Sequence, residues 1–373
     1  ARQRLDELMA RTGLLVDLDA RTATLAVGQR QRVEILKALY RGARLLVLDE
    51  PTAVLSPQEA SQLFQTLRRL TAEGVAIIFI SHKLGEVMAL ADRVAVLRAG
   101  RKVAEIATAN ADPASLALAM VGRPVPAPER RAEAPGAVVL RLQDVTVRPP
   151  GQTQLLAASL TIRRHEILGI AGVSGNGQQA LVAALHGLVA AETGTISHGD
   201  TGWPASPAAL TLAKVGRIPE DRHGDGAVAE MSIAQNLVLE RWRQPATQRF
   251  GLIREAAITQ DAQRLIGAYD VRGGGPSHAI RKLSGGNMQK VILARALDPE
   301  PDCIIAAQPT RGLDVGAIAF VHAQLLKARA RGAGILLVSE ELEELLALSD
   351  RIAVLFRGHL SEAIPVGQVD LEQ

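Results

Sequence analysis

Residues 45–52 read LLVLDEPT, and residues 303–310 read CIIAAQPT. Each is an apolar run closed by Pro-Thr, and the two lie 258 positions apart. The same offset relates TLAVGQRQRVEI (24–35) to KLSGGNMQKVIL (282–293), ISH (80–82) to VSE (338–340), and ADRVAVL (91–97) to SDRIAVL (349–355). Four matches at one gapless offset identify two copies of one module. Within the first copy, the runs at 44–48, 75–80 and 94–97 read as buried parallel strands. SPQEASQLFQTLRRL (56–70) reads as an intervening helix, with Ser56 as N-cap, Pro57 in the first turn and Glu59 completing a capping box. Strand–helix–strand alternation predicts an α/β fold with a parallel sheet and helices on its faces.

The stretch GRPVPAPERRAEAPG (122–136) has too much Pro, Ala and charge to build a core. It sets a linker at 123–137, between a first module ending at 122 and a second covering 138–373. The first copy holds no counterpart of residues 138–258. It is expected to be a module without its N-terminal portion, part of a longer parent chain.

Of the 373 residues, 47% are hydrophobic, enough for sizeable cores, yet no apolar run reaches the length of a membrane span. The opening ARQRLDEL is charged and helical in pattern, unlike a secretory signal. One cysteine, Cys303, excludes a disulfide framework or a multi-cysteine zinc site and fits a reducing cytosol. A net charge of +3 and 2% aromatics argue against a nucleic-acid partner.

Several motifs carry chemistry. LLVLDEPT ends a buried strand in Asp49 and Glu50; the first can hold Mg²⁺ through water and the second can polarise an attacking water. A solvated acidic turn is the bland alternative. His82 follows the next strand, where it could contact a γ-phosphate or act as an ordinary capped side chain. LSGGNMQK (283–290) puts Leu283, Ser284, Gly285 and Gly286 at the start of a helix, where bare N–H groups suit an anion or an ordinary cap. GVSGNGQQ (172–179) has the glycine spacing of a phosphate loop, with Gly172, Ser174, Gly175, Asn176 and Gly177. Gln178 and Gln179 stand where lysine and a hydroxyl residue are required.

Taken in order, these motifs resemble the ATP-binding cassette (ABC) proteins over nearly the whole chain. LSGGNMQ matches the signature loop, VLDEPT the Walker B strand and ISH the switch histidine. The chain is most similar to the duplicated ATP-binding subunits of bacterial sugar and nucleoside importers. Their second modules carry a GxxGNGQ loop, PEDR (219–222 here) and AAQPTRGLD (306–314 here). PTAVLSPQE (51–59) and GVSGNGQ look nearer to nucleoside importers than to ribose or galactose ones.

The resemblance implies two P-loop NTPase modules that pair head to tail and bind ATP and Mg²⁺. One site would join a first phosphate loop, Asp49, Glu50 and His82 to Ser284, Gly285 and Gly286. The other would join GVSGNGQQ to Leu25–Gln29, including Val27, Gly28 and Gln29. At that second site Gln178 replaces lysine, Ala307 the metal-binding aspartate, Gln308 the catalytic glutamate, Glu340 the histidine and Ala26 the signature serine. Glutamine cannot act as a base, and Glu340 would repel a γ-phosphate. The loop N–H groups would remain, so the second site is read as degenerate, and the 373 residues by themselves as a poor ATPase.

The resemblance also implies transmembrane permease subunits as partners, an extracytoplasmic solute-binding protein acting through them, and a peripheral place on the cytoplasmic face of the inner membrane. Glu220 falls in the loop expected to sense the γ-phosphate and to meet the permease. Translation-associated ABC proteins keep two complete sites and a long charged linker, excision-repair members carry cysteine-rich zinc insertions, and neither fits; a soluble ABC-type ATPase or a pure binding module remain as alternatives.

Overall fold

The computed structural model describes residues 2–25, 27–52, 55, 57–98, 100–124 and 133–369. The chain forms two compact units, Ala1–Val125 and Pro126–Gln373. Ser56, Ala26 and most of the 123–137 segment lie outside the described residues.

In the second unit a parallel sheet runs in the order Val215–Ile218, Cys303–Ala307, Gly334–Ser339, Ile167–Ala171, Arg351–Phe356. It continues through His359–Leu360 into an antiparallel layer built from Leu155–Arg163, Val138–Val147 and Thr193–His198. Both faces of the parallel sheet are covered, which is why its strands read as unbroken apolar runs. Side chains alternate between two cores. Ile304, Ala306, Ile335 and Leu337 join a core with the helices Gly285–Leu297 and Val315–Ala330. Cys303, Ile305, Leu336 and Val338 join another with the antiparallel layer and the helix Gln178–Leu185. Full burial pushes the Cys303 thiol up to about 12, so it is an inert packing group.

The repeat is visible residue by residue in the first unit. Strand Leu45–Asp49 corresponds to Cys303–Ala307, helix Pro57–Ala72 to Val315–Ala330, and helix Leu84–Leu90 to Leu342–Leu348. Glu50 and its counterpart Gln308 share a left-handed backbone, φ 43° and 46°. The hydroxyl of Thr52 donates to Glu86 at 2.7 Å, and that of Thr310 to Glu344 at 2.8 Å. Both bonds tie the Pro-Thr turn after the strand to the short helix that follows the next strand.

Two expectations need correction. Leu45–Asp49 and Ala76–Ile80 do pair in parallel, but they are not buried on both faces. Leu46 packs with Ile35, Leu63 and Leu67, whereas Leu45, Val47, Ile78 and Ile80 are about half exposed. Their counterparts are Cys303, Ile305, Leu336 and Val338, which pack under residues of 138–258, and the first unit has no such stretch. The third run, within Arg93–Arg98, pairs with neither of the other two. It pairs antiparallel with Arg101–Ala107, because a connection this short can only fold back on itself.

Candidate nucleotide site

In the first unit, strand Leu45–Asp49 delivers Asp49 and Glu50 to its C-terminal end, and strand Ala76–Ile80 delivers His82 beside them. The in-register pairing of Asp49 with Ile80, and the Glu50 N–H bonded to Ile80 O at 2.9 Å, fix this juxtaposition. His82 Nδ1 lies 2.9 Å from Glu50 Oε1. A carboxylate has no proton to give, so Nδ1–H donates. His82 therefore holds the Glu50 carboxylate. The sequence suggested a phosphate contact for this histidine; the bond to Glu50 is what the structure adds. Asp49 and Glu50 are both exposed at the strand end, open to a ligand.

The second unit places its corresponding groups differently. The loop 172–177 joins strand Ile167–Ala171 to helix Gln178–Leu185. Gly177 takes φ 110°, and a Cβ there would sit 2.9 Å from Gln154 O, so only glycine fits. Gln178 is buried and folds back into the loop. Its Oε1 accepts the Asn176 N–H at 3.0 Å and its Nε2 donates to Val173 O at 2.9 Å. Asn176 is held further by the N–H groups of Arg357 and Gly358, both at 2.9 Å. The loop thus spends on its own carboxamide an N–H that the sequence reading had left for phosphate. Gln179 stays exposed on the first helical turn.

Around the loop, Glu340 gains a hydrogen bond with Ser174, and its main-chain N–H lies 3.3 Å from Gln308 Oε1. Partial burial raises the Glu340 carboxyl above the usual carboxylate range; Glu220 nearby adds to this, and Arg311 opposes it. Glu220 pairs with Arg311, and Arg222 donates to Arg311 O. Glu220 and Arg222 are therefore held within the unit and do not form a free polar turn. Arg311 was missed by the sequence reading, although its place in QPTRGLD, three residues past Gln308, was the available signal.

The helix Gly285–Leu297 begins at Ser284, whose side chain does not cap it. Ser284 Oγ instead accepts from Asn287 Nδ2 at 2.9 Å. The first N–H groups are left for a ligand. A Cβ on Gly285 would lie 3.1 Å from Arg222 Nη1, a buried nitrogen without a hydrogen-bond partner. A cation against a helix N-terminus is unfavourable by itself, and a bound anion relieves it. Leu283 is buried and anchors the turn. In the first unit the corresponding turn has Leu25 buried, and a Cβ on Gly28 would meet Leu55 and Glu59 at 3.0 and 3.1 Å. Val27 and Gln29 open the helix Val27–Tyr40.

Helix Gln178–Leu185 ends at His186, which is buried and held neutral, its pKa lowered to about 4 by desolvation and the nearby Arg217, against Glu240. A depressed histidine stabilises the fold fully above its ordinary value of 6.5, and this contribution is lost as pH falls from 6.5 toward 4. The second unit is expected to lose about 2 kcal/mol between pH 7 and pH 5 from this group. Urea unfolding at both pH values checks this; His186→Gln should remove most of the difference.

Strand-end carboxylates, a glycine loop between strand and helix, and a bare helix N-terminus on one α/β scaffold are the parts of a phosphate-handling module. The ABC transporter family profile matches residues 1–53 and 155–311, more than half of the chain. The chain belongs to the ABC transporter family. Its two modules are ABC-type α/β P-loop units, and ATP-binding proteins of this family hydrolyse ATP to drive transport.

A nucleoside import ATP-binding protein of Lactococcus lactis is 44% identical over 363 residues, which are 96% of this chain and 72% of the relative. A guanosine import ATP-binding protein of Bacillus subtilis is 43% identical over 98% of this chain and 72% of its own. A ribose import ATP-binding protein of Rubrobacter xylanophilus is 36% identical over 96% and 69%. A nucleotide-free ATP-binding cassette of known structure covers 61% of this chain and 91% of its own at a TM-score of 0.52 and 20% identity, a likeness of fold alone.

Proposed function

We propose that this protein is the ATP-driven subunit of an importer for a nucleoside or simple sugar, working through separate permease subunits. The contrast between the two units carries the reading: Asp49, Glu50 and His82 in the first, against Ala307, Gln308 and Glu340 in the second. Glu50, held by His82, accepts a hydrogen bond from the attacking water and polarises it. In the second unit Gln308 has no base to offer, and Gln178 fills the loop. The first unit hydrolyses and the second regulates or stabilises. That these relatives are named for nucleoside, guanosine and ribose import supports a nucleoside or sugar as the solute.

Asp49 fits a Mg²⁺ ion held mainly by nucleotide phosphates and water. Among the described residues no cluster of three or more His, Cys, Asp or Glu side chains could bind a metal alone. Such an ion would neutralise charge on the transferring phosphate.

No helix among the described residues is long and apolar enough to cross a membrane. We place the protein peripherally, on the cytoplasmic face beside its permease. Purification with candidate permease subunits tests this. A stable complex whose ATP turnover rises with solute-loaded binding protein supports the reading. No complex and permease-independent turnover would refute it.

The Glu340 carboxylate faces the loop where a γ-phosphate would sit. Glu340→Gln removes a like charge, and nucleotide affinity at the second module should rise on the order of fivefold to tenfold. Titration with a fluorescent ATP analogue measures this; unchanged affinity would place Glu340 outside the phosphate's reach.

A further inference from the structure

The segment RWRQPATQRFGLIR (241–254) gathers one Trp, one Phe, a Leu and an Ile in a chain with only two Trp and five Phe. Gln248–Arg249 and Leu252–Ile253 pair antiparallel as a small hairpin. Its turn residues Phe250 and Gly251 both have positive φ, 51° and 81°. Asn or Gly suits the first of these positions, and a bulky side chain there is strained. Phe250 is also 92% exposed, with Leu252 75%, Ile253 59% and Trp242 45% exposed.

The charge around this tip is one-sided. The Arg243 guanidinium lies 4.7 Å from the Trp242 ring centre, and that of Arg249 5.3 Å from Phe250. Arg243, Arg249 and Arg254 are exposed and take part in none of the ion pairs among the described residues. Arg241, in contrast, turns inward to Asp298. Of the two flanking carboxylates, Glu240 is taken up by Arg217 and Arg295 and Glu255 remains, so the tip carries two net positive charges.

We propose that this hairpin is a membrane-surface anchor. Its apolar tip enters the headgroup layer of a bilayer containing anionic lipid, and the three arginines meet the lipid phosphates. Interfacial Trp and Phe flanked by arginine are the side chains that favour this boundary. The tip projects into solvent, so a soft, flat surface covers it without a matching pocket. Trp242 and Ile253 also line the apolar groove beside the hairpin, with Met231, Val238 and Ile258, whereas Phe250 and Leu252 stand outside it and form the projecting tip. The proposal stands on the hairpin and needs no nucleotide, so it survives or fails independently of the transport reading.

Vesicle flotation of the full 373-residue chain tests it. Phosphatidylcholine vesicles with about three parts in ten phosphatidylglycerol are compared with pure phosphatidylcholine. Two charges near such a surface should favour the anionic vesicles roughly 25-fold, a preference weakened by salt. Trp203→Phe leaves Trp242 as the only indole, and its emission should shift to the blue on binding. The pair Phe250→Glu and Leu252→Glu should lower binding at least about tenfold with the unfolding midpoint unchanged, because both side chains stand in water. Arg243→Glu with Arg249→Glu should abolish the anionic preference. Absent or charge-indifferent vesicle binding would overturn the proposal. So would vesicle binding that survives the Phe250 and Leu252 substitutions while a permease complex in detergent is lost, which would make the tip a protein contact.

Discussion

Glu50→Gln, in the protein carrying a complete first module, lowers steady-state ATP turnover by roughly 10²-fold or more and leaves ATP binding nearly unchanged. The substitution keeps the side chain's volume and its contact with His82, 2.9 Å away in the native protein. It removes the negative charge that strengthens against the attacking water only as the transition state forms. Binding energy common to ground and transition states is untouched, so the loss falls on turnover. The matching substitution in the second unit, Gln308→Ala, is expected to cost little turnover, because no base is present there to lose. His82→Ala should lie between the two, since it releases Glu50 from its held orientation without removing it. Phosphate release and nucleotide binding, measured on the same preparations, separate these outcomes. Normal turnover in Glu50→Gln would remove Glu50 from the chemistry.

Glu240→Ala is expected to destabilise the second unit by up to about 3 kcal/mol, less than for a fully buried partner because Glu240 is 27% exposed. Glu240 is shared by two arginines from different elements. Arg217, on strand Val215–Ile218, lies 3.0 Å from it, and Arg295, on helix Gly285–Leu297, lies 3.5 Å from it. The Arg295 side chain is only 5% exposed, and burial lowers its pKa. It also donates to Gly226 O at 2.7 Å. Without Glu240 two guanidinium groups, one of them almost fully buried, are left with no counter-charge. The desolvation cost, already met in the native fold, is then uncompensated. Glu240→Met combined with Arg295→Met should be milder than Glu240→Ala alone, because one guanidinium, Arg217, and not two is left without its carboxylate. Chemical denaturation of the single and double variants gives both numbers. A double variant less stable than either single one would mean that the network contributes through packing and not through charge balance.

The repeat made the fold legible because both copies keep the same apolar spacing and the same turn residues. The 258-residue offset carries over to secondary structure, to the left-handed φ at Glu50 and Gln308, and to the Thr–Glu bond after each strand. Strand partners were less legible. Val94–Leu97 is apolar like its neighbours, and no pattern within it distinguishes a parallel from an antiparallel mate. That is decided by which strands are present to pair with it. The half-exposed face of Leu45, Val47, Ile78 and Ile80 has the same origin. Apolar runs announce that a strand can be covered on both sides, and residues elsewhere in the chain determine whether it is.

At the site, the motifs named the positions but not the bonds. That Gln178 lacks a charge was plain; that its carboxamide occupies the Asn176 N–H follows from loop geometry. Arg222 and Arg311 lie within recognised motifs, yet the Arg311–Glu220 pair and the bond from Arg222 to Arg311 O join two loops far apart in sequence. His186 and Glu240 belong to no motif. Their importance comes from burial beside Arg217 and Arg295, which only the packed structure reveals.

A single-turnover experiment tests the functional difference between the modules most directly. The protein with both modules complete is loaded with labelled ATP, mixed with Mg²⁺, quenched after one turnover and assayed for bound ADP. One ADP per chain is predicted, abolished by Glu50→Gln and unaffected by Gln308→Ala. Two ADP per chain, or one that survives Glu50→Gln and disappears with Gln308→Ala, would contradict the assignment of hydrolysis to the first module.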